Sequence, residues 1–241
     1  MMSWMSLGFQ DSSSLSMMQL SGFHDHTMVI MLGVLVLICY MFFFLFLNFK
    51  FYKNLSEGTF IEIIWSVVPA FLLIVLVIPS MKVLYYMEDI KVSDLSFKIV
   101  AHQWYWSYII PLYKNFFFKF NNNLFFNYEY DSIMNIDGYP RLLEASSDLV
   151  LPLGKVSRLM ISSVDVIHSF AVPSLGLKVD ALPGRINQLF VNPLKLGLYY
   201  GQCSEICGSN HSFMPISVVV VSEGVYDDFT FNKTLDLLVM D

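Results

Sequence analysis

The segment Cys203-Ser-Glu-Ile-Cys207-Gly-Ser-Asn-His211-Ser-Phe-Met214 places two thiols, an imidazole and a thioether within twelve residues. Cysteines four apart fit, by themselves, a structural disulfide, a zinc site or a redox site. His211 and Met214 narrow the choice. Thiolate and thioether are soft donors that select copper, and methionine is foreign to structural zinc. A mononuclear electron-transfer copper uses one Cys, two His and a weak Met, which leaves one sulfur over here. Two thiolates can instead bridge two coppers, each capped by one imidazole, and that requires a second histidine. His168, in Asp165-Val-Ile-His168-Ser-Phe170 just past a candidate strand, can supply it, although a lone histidine also reads as a core or surface residue. A bridged pair spreads one odd electron over both ions, so its transfer demands little rearrangement. With no position open to substrate, such a centre carries electrons and performs no bond chemistry. Glu205, between the cysteines, reads as a surface carboxylate, as a ligand to a second, harder ion, or as a backbone carbonyl donor to copper.

The elements that must position this loop are β-strands. Phe97–Ala101, Gln103–Ile109, Val156–Ser163, Ile186–Asn192, Leu198–Cys203 and Ile216–Ser222 are rich in Val, Ile or aromatics, and Pro and Gly punctuate them. They predict a β-sandwich or barrel over residues 88–241, with the copper loop between two strands. Trp104 and Trp106, two apart, read as one face of a strand and hence as core.

Before that domain the chain is built for lipid. Hydrophobic residues make up 56% of the 241 and charged residues 14%, outside the range of an ordinary soluble domain. Residues 28–47 and the run Ile63–Met81 carry no charge, and each is long enough to cross a bilayer core of about 30 Å. The expected organisation is an outward-facing segment 1–27, spans at 28–47 and 63–87, an inner loop 48–62, and the β domain at 88–241. Lys50 and Lys53 fall in the loop, while residues 1–27 hold no Lys or Arg. The positive-inside rule therefore turns the loop inward and both termini outward. Glu62, at the inner mouth of the second span, is an interfacial carboxylate or the entrance of a proton path. The leading segment resembles neither a secretory signal nor a transit peptide, so synthesis within the compartment of use is expected. The net charge is −6, and nearly all the acidic excess lies beyond residue 88. That face repels nucleic acid and attracts basic partners. Three cysteines are too few for a disulfide framework, and Cys39 sits in an apolar run as a small hydrophobe.

Taken together, Gly201-Gln-Cys-Ser-Glu-Ile-Cys-Gly-Ser-Asn-His-Ser-Phe-Met-Pro215, Asp165-Val-Ile-His-Ser-Phe-Ala-Val-Pro-Ser-Leu-Gly-Leu-Lys178, Pro183-Gly-Arg185, His102-Gln-Trp-Tyr-Trp-Ser-Tyr108 and Phe23-His-Asp-His-Thr27 resemble the subunit II family of mitochondrial cytochrome c oxidases. The resemblance implies a two-helix transmembrane hairpin followed by a cupredoxin-like Greek-key sandwich. It implies that Cys203 and Cys207 bridge two coppers, that His168 and Met214 complete one, and that His211 and the Glu205 carbonyl complete the other. The Glu205 side chain would reach a magnesium ion shared with subunit I. Trp104 would admit electrons from cytochrome c, and Glu62 would open a proton channel into subunit I, where oxygen is reduced. The location implied is the mitochondrial inner membrane, with the β domain and both termini in the intermembrane space.

Two departures stand out. Relatives follow the Trp-Tyr-Trp motif with an acid-rich stretch. Here Ile109, Ile110 and a Phe- and Asn-rich insertion, Pro111–Tyr130, take its place, and Val164 stands where an acid is common. Docking of cytochrome c is then expected to shift toward Glu129, Asp131, Glu144, Asp148 and Asp165. The insertion itself reads as two strands flanking an Asn turn, covered by a partner or by lipid. Two competing classes are a metal-free anchoring subunit of a quinol-using complex, which would lack the ligand set, and a copper domain of a soluble nitrous oxide reductase, which would lack the spans.

Overall fold

The first element of the chain, helix α1, spans Leu15–Leu47 and starts thirteen residues before the predicted span. In the computed structural model, which describes residues 8–48, 50, 56–112 and 127–240, the reason is a cap. Ser14 Oγ accepts the Met17 N–H at 3.1 Å, which starts the helix within a polar stretch that hydropathy does not register. At about 1.5 Å per residue, 33 residues exceed the ~30 Å bilayer core, so the polar start projects beyond it. Helix α2 spans Thr59–Glu88 and contains Pro69 and Pro79. Both helices are long and apolar enough to cross a membrane and present side chains such as Phe46 and Phe60 outward. Lys53 and the Asn triplet of the insertion lie outside the described residues.

Among the described residues the β domain follows in ten strands and a closing helix: β1 Leu95–His102, β2 Tyr105–Pro111, β3 Asn127–Ser132, β4 Leu149–Pro152, β5 Ser157–Ser163, β6 His168–Val172, β7 Leu177–Ala181, β8 Asn187–Val191, β9 Gly197–Gln202, β10 Pro215–Val221 and α3 Glu223–Met240. One sheet runs β3-β2-β1-β5-β8 and a second β4-β10-β9, with β6 and β7 paired separately. The β1–β5 and β4–β10 pairings are parallel and the others antiparallel. Parallel pairs between strands distant in sequence mean crossovers, in keeping with the expected Greek-key sandwich.

Period-two alternation builds the core. Phe97, Ile99 and Ala101 of β1 point inward while Lys98 stays exposed, and the partners Leu159 and Ile161 of β5 share that inward face. Trp106, Tyr108 and Ile110 of β2 continue it, and Ile216, Val218 and Val220 of β10 face it from the second sheet. Tyr226 of α3 meets Phe97 edge-on at 6.5 Å, so the helix closes one side of the sandwich.

Residues 8–18 also belong to this unit. Ser13 N donates to Ser174 O, Ser14 Oγ donates to Leu175 O, and Leu194 N donates to Ser13 O. Met17, 2% exposed, packs on Gly176. Residues 8–18 are thus a strap on the β domain, a contact that an outward-facing segment in the sequence does not announce.

Candidate metal centre

Strand β9 delivers Cys203 at its end, β6 begins at His168, and β10 begins one residue after Met214. The ends of three strands therefore converge on one point. Cys203 Sγ lies 4.0 Å from Cys207 Sγ, 3.9 Å from His168 Nδ1 and 3.3 Å from the Glu205 carbonyl oxygen. Cys207 Sγ lies 3.5 Å from His211 Nδ1 and 3.5 Å from Met214 Sδ. Every donor named from the sequence, two thiols, two imidazoles, a thioether and a carbonyl, meets in this cluster.

The sulfur gap of 4.0 Å is about twice a disulfide bond, and both cysteines are free. It is also shorter than two metal–thiolate bonds of about 2.3 Å, so a single ion can touch both sulfurs. Cys203, Cys207 and Met214 are buried and His168 is fully so, while His211 is half-buried and Glu205 exposed; the sulfurs and one imidazole are thus shielded from water. His168, Cys203 and Cys207 have ligand atoms mutually within 4.8 Å. Soft sulfur donors joined by imidazoles, without a carboxylate among the side chains that meet there, fit copper.

The surroundings orient the ligands. His168 Nε2 donates to Asp165 Oδ1 at 2.9 Å, which turns Nδ1 toward Cys203. Asp165 Oδ1 also accepts from Val166 N at 2.6 Å, and its Oδ2 accepts from Gln103 N at 2.6 Å. Burial raises the pKa of Asp165, but the bonds from His168, Val166, Gln103 and Ser163 outweigh it and hold the carboxyl below its usual range. Trp106, fully buried, donates Nε1–H to Met214 O at 3.3 Å and stands edge-on to His168. At the thiols, burial pushes both upward. The hydrogen bond of His168, with those of the Ser169 and Glu205 backbones, overcomes it at Cys203 and lowers that thiol to about 7. Burial and the neighbouring Cys203 charge raise Cys207 to about 12.

A metal ion must displace whatever protons remain on the sulfurs. At pH 6 both thiols are largely protonated, and at pH 8 only Cys207 is. Proton release on loading the metal-free chain with copper should fall from nearly two thiol protons at pH 6 toward about one at pH 8. Calorimetric titration in buffers of different ionisation enthalpy reads the total release, to which the His168 imidazole, raised against its burial by Cys203 and Asp165, also adds at low pH; a release independent of pH would contradict the assignment of Cys203 as the ionised partner.

The other expected residues are placed as follows. Trp104 sits in the turn between β1 and β2 rather than on a strand face, because β1 ends at His102 and β2 begins at Tyr105. A Cβ built on Gly208 would lie 3.0 Å from Trp104 Cζ2, so the indole ring rests on the loop between Cys207 and His211. Glu205 is exposed. Glu62 lies in the first turn of α2. Among the docking acids, Glu129 and Asp131 are both exposed on β3, where Asp131 also accepts from Ser107 Oγ at 2.7 Å, and half-buried Glu144 accepts from Tyr139 N and Asn135 Nδ2. Asp148 is half-buried. Asp165, exposed at the surface, accepts from His168 and from Gln103 N. Gln103 went unnoticed in the sequence, where nothing marks its 2.7 Å bond from Nε2 to the Cys207 carbonyl, 104 residues away.

Comparison with known proteins agrees with this geometry. Residues 95–221 match the family model "Cytochrome C oxidase subunit II, periplasmic domain" and residues 2–83 match "Cytochrome C oxidase subunit II, transmembrane domain". Cytochrome c oxidase subunit 2 of Aedes aegypti is 43% identical over 224 residues, covering 90% of this chain and 92% of that one. The Drosophila yakuba protein of the same name is 44% identical over 226 residues, with the same coverage. The crystal structure of the periplasmic domain of subunit II of cytochrome oxidase (CoxB) of Bradyrhizobium japonicum superposes with a TM-score of 0.53 at 39% identity, over 61% of this chain and 97% of that one. Two apolar helices, a cupredoxin-like β domain and a convergent Cys-His-Met cluster thus lead to one conclusion: the chain belongs to the cytochrome c oxidase subunit II family and is a membrane-anchored subunit of that oxidase.

Proposed function

We propose that the chain accepts electrons from reduced cytochrome c at Trp104 and delivers them to the haem of subunit I, where oxygen is reduced to water with proton pumping. Cys203 and Cys207 would hold a dinuclear copper centre, with His168 and Met214 as further ligands on one side and His211 with the Glu205 carbonyl on the other. Bound there, the copper pair supplies a reversible one-electron store. The protein's part is to hold six donors fixed, four of them on buried residues, so that gaining or losing one charge demands little movement. Trp106 and Asp165 keep Met214 and His168 in place, through the Met214 carbonyl and the His168 ring.

Glu205 turns its carboxylate to a magnesium ion shared with subunit I, and Glu62 stands at the mouth of a proton path into that subunit. The chain lies in the mitochondrial inner membrane with the β domain and both termini in the intermembrane space. The strap of residues 8–18 on the β domain supports placing these two parts on one side. Cytochrome c docks on the face around Trp104 with Glu129 as an exposed acid, and Asp131, Glu144 and Asp148 lie within the same domain.

The observation that carries this reading is the convergence of two thiols, two imidazoles and a thioether, with each contact to a cysteine sulfur between 3.5 and 4.0 Å. Trp104→Phe in the assembled oxidase tests the entry step. Electron entry from cytochrome c should slow by on the order of 10- to 100-fold while copper content stays unchanged. An unaltered rate would remove Trp104 from the path.

A further inference from the structure

Trp104 is held in place by something other than its own polar atom. Among the described residues its buried Nε1–H finds no hydrogen-bond acceptor. It occupies a two-residue turn between β1 and β2, with its ring against Gly208. The residue before it makes two bonds in opposite directions. Gln103 N donates to Asp165 Oδ2 at 2.6 Å, and Gln103 Nε2 donates to the Cys207 carbonyl at 2.7 Å. The same Asp165 accepts from His168 through its other oxygen. The Gln103 amide also lies beside Gly208, where a Cβ would come within 3.3 Å of Nε2. One side of Gln103 is therefore tied to the carboxylate that orients His168. The other is tied to the backbone of Cys207. Trp104 hangs between them.

We propose that Gln103 is a positioning residue, a latch that fixes the Trp104 ring on the copper loop by bonding Asp165 through its backbone and Cys207 through its side chain. The inference rests on the reading of Trp104 as the entry point. Gln103 touches neither the metal nor, by this account, the electron donor. Its effect comes through the separation and angle of the indole relative to the loop, and such outer contacts are typically worth ten- to a hundredfold in activity. Glycine at position 208, with φ +130°, leaves the surface on which the ring rests without a side chain.

The test is Gln103→Met, which keeps length and removes the donor, compared with Trp104→Phe. In the assembled oxidase, Gln103→Met should lower kcat with cytochrome c about tenfold and leave KM, copper content and the paramagnetic resonance spectrum unchanged. In the full-length metal-free chain, acrylamide should quench Trp104 fluorescence more strongly in Gln103→Met than in the parent, with the Trp104 contribution isolated by subtracting Trp104→Phe. A raised KM with unchanged kcat would make Gln103 a docking residue and overturn the latch, as would unchanged quenching. Lost copper would also overturn it, because Gln103 would then be supporting the ligands themselves. If Trp104→Phe alone leaves kcat intact, the entry reading fails, while the quenching result still decides whether the latch exists.

Discussion

Replacing Cys207 by serine should abolish the dinuclear centre: copper content should fall from two per chain to at most one, and the near-infrared absorption of the pair should vanish. The expectation follows from the number of sulfurs. Cys203 and Cys207 stand 4.0 Å apart, and in the proposed centre each would serve two ions, four metal–sulfur bonds in all. A serine hydroxyl is a hard donor with no affinity for monovalent copper, and removing one sulfur deletes two of those bonds. What remains near Cys203 is His168 and the Glu205 carbonyl, which suits one ion at most. His211 and Met214 both lie against Cys207 and lose their common partner. Unchanged copper content and spectrum in Cys207→Ser would show that the second sulfur is not a bridge.

The second large effect lies outside the ligand set. Gly201→Ala should destabilise the β domain by about 3 kcal/mol, at the upper end for overpacking, and should also weaken copper retention. A Cβ built at Gly201 would run into the carbonyl oxygen of Ala171, and it would stand 3.0 Å from the Ala171 carbonyl carbon and 3.1 Å from Val172 Cγ2. Backbone offers no flexible end to swing aside, so β6 and β9 must part. Gly201 is two residues before Cys203 and Ala171 is three after His168, and Ser204 N is bonded to Ser169 O at 3.0 Å between them. The separation of these two strands therefore sets the distance between His168 and Cys203. A thermal midpoint lowered by about 5–10 °C in the solubilised chain, with reduced copper content, is expected. Gly224→Ala supplies the contrast. It sits in α3 with open space around it, and alanine there should be neutral or stabilise by about 0.5–1 kcal/mol. If Gly201→Ala behaved like Gly224→Ala, the close approach of β6 and β9 would not be what spaces the ligands.

The donor loop was legible in the sequence because it is local. Cys203, Cys207, His211 and Met214 fall within twelve residues, and their soft sulfurs point to copper before any fold is known. The membrane spans were legible for the same reason, since a run of apolar residues announces itself. Their ends were not. The start of α1 depends on one side-chain bond from Ser14, and the strap on the β domain depends on Ser13 and Ser14 meeting residues some 160 positions away. Strand β6 is buried at all five positions, so it shows no alternation to read. Helix α3 was missed although Tyr226, Thr230 and Thr234 recur at helical spacing and are all buried, because Gly, Thr and Asn dilute the apolar signal. Trp104 was misread as a strand residue, since spacing two apart cannot tell a hairpin turn from the strand it joins. Asp165 and Gln103 were opaque for a different reason. Their roles are hydrogen bonds across 62 and 104 residues, and only the folded chain brings the partners together.

What decides the matter most directly is electron paramagnetic resonance of the oxidised, copper-loaded chain. If the two sulfurs join the ions into one unit, the unpaired electron couples equally to two spin-3/2 nuclei, and the spectrum should show seven hyperfine lines or their merged envelope. Four lines, the pattern of a spin held on a single copper, would contradict it.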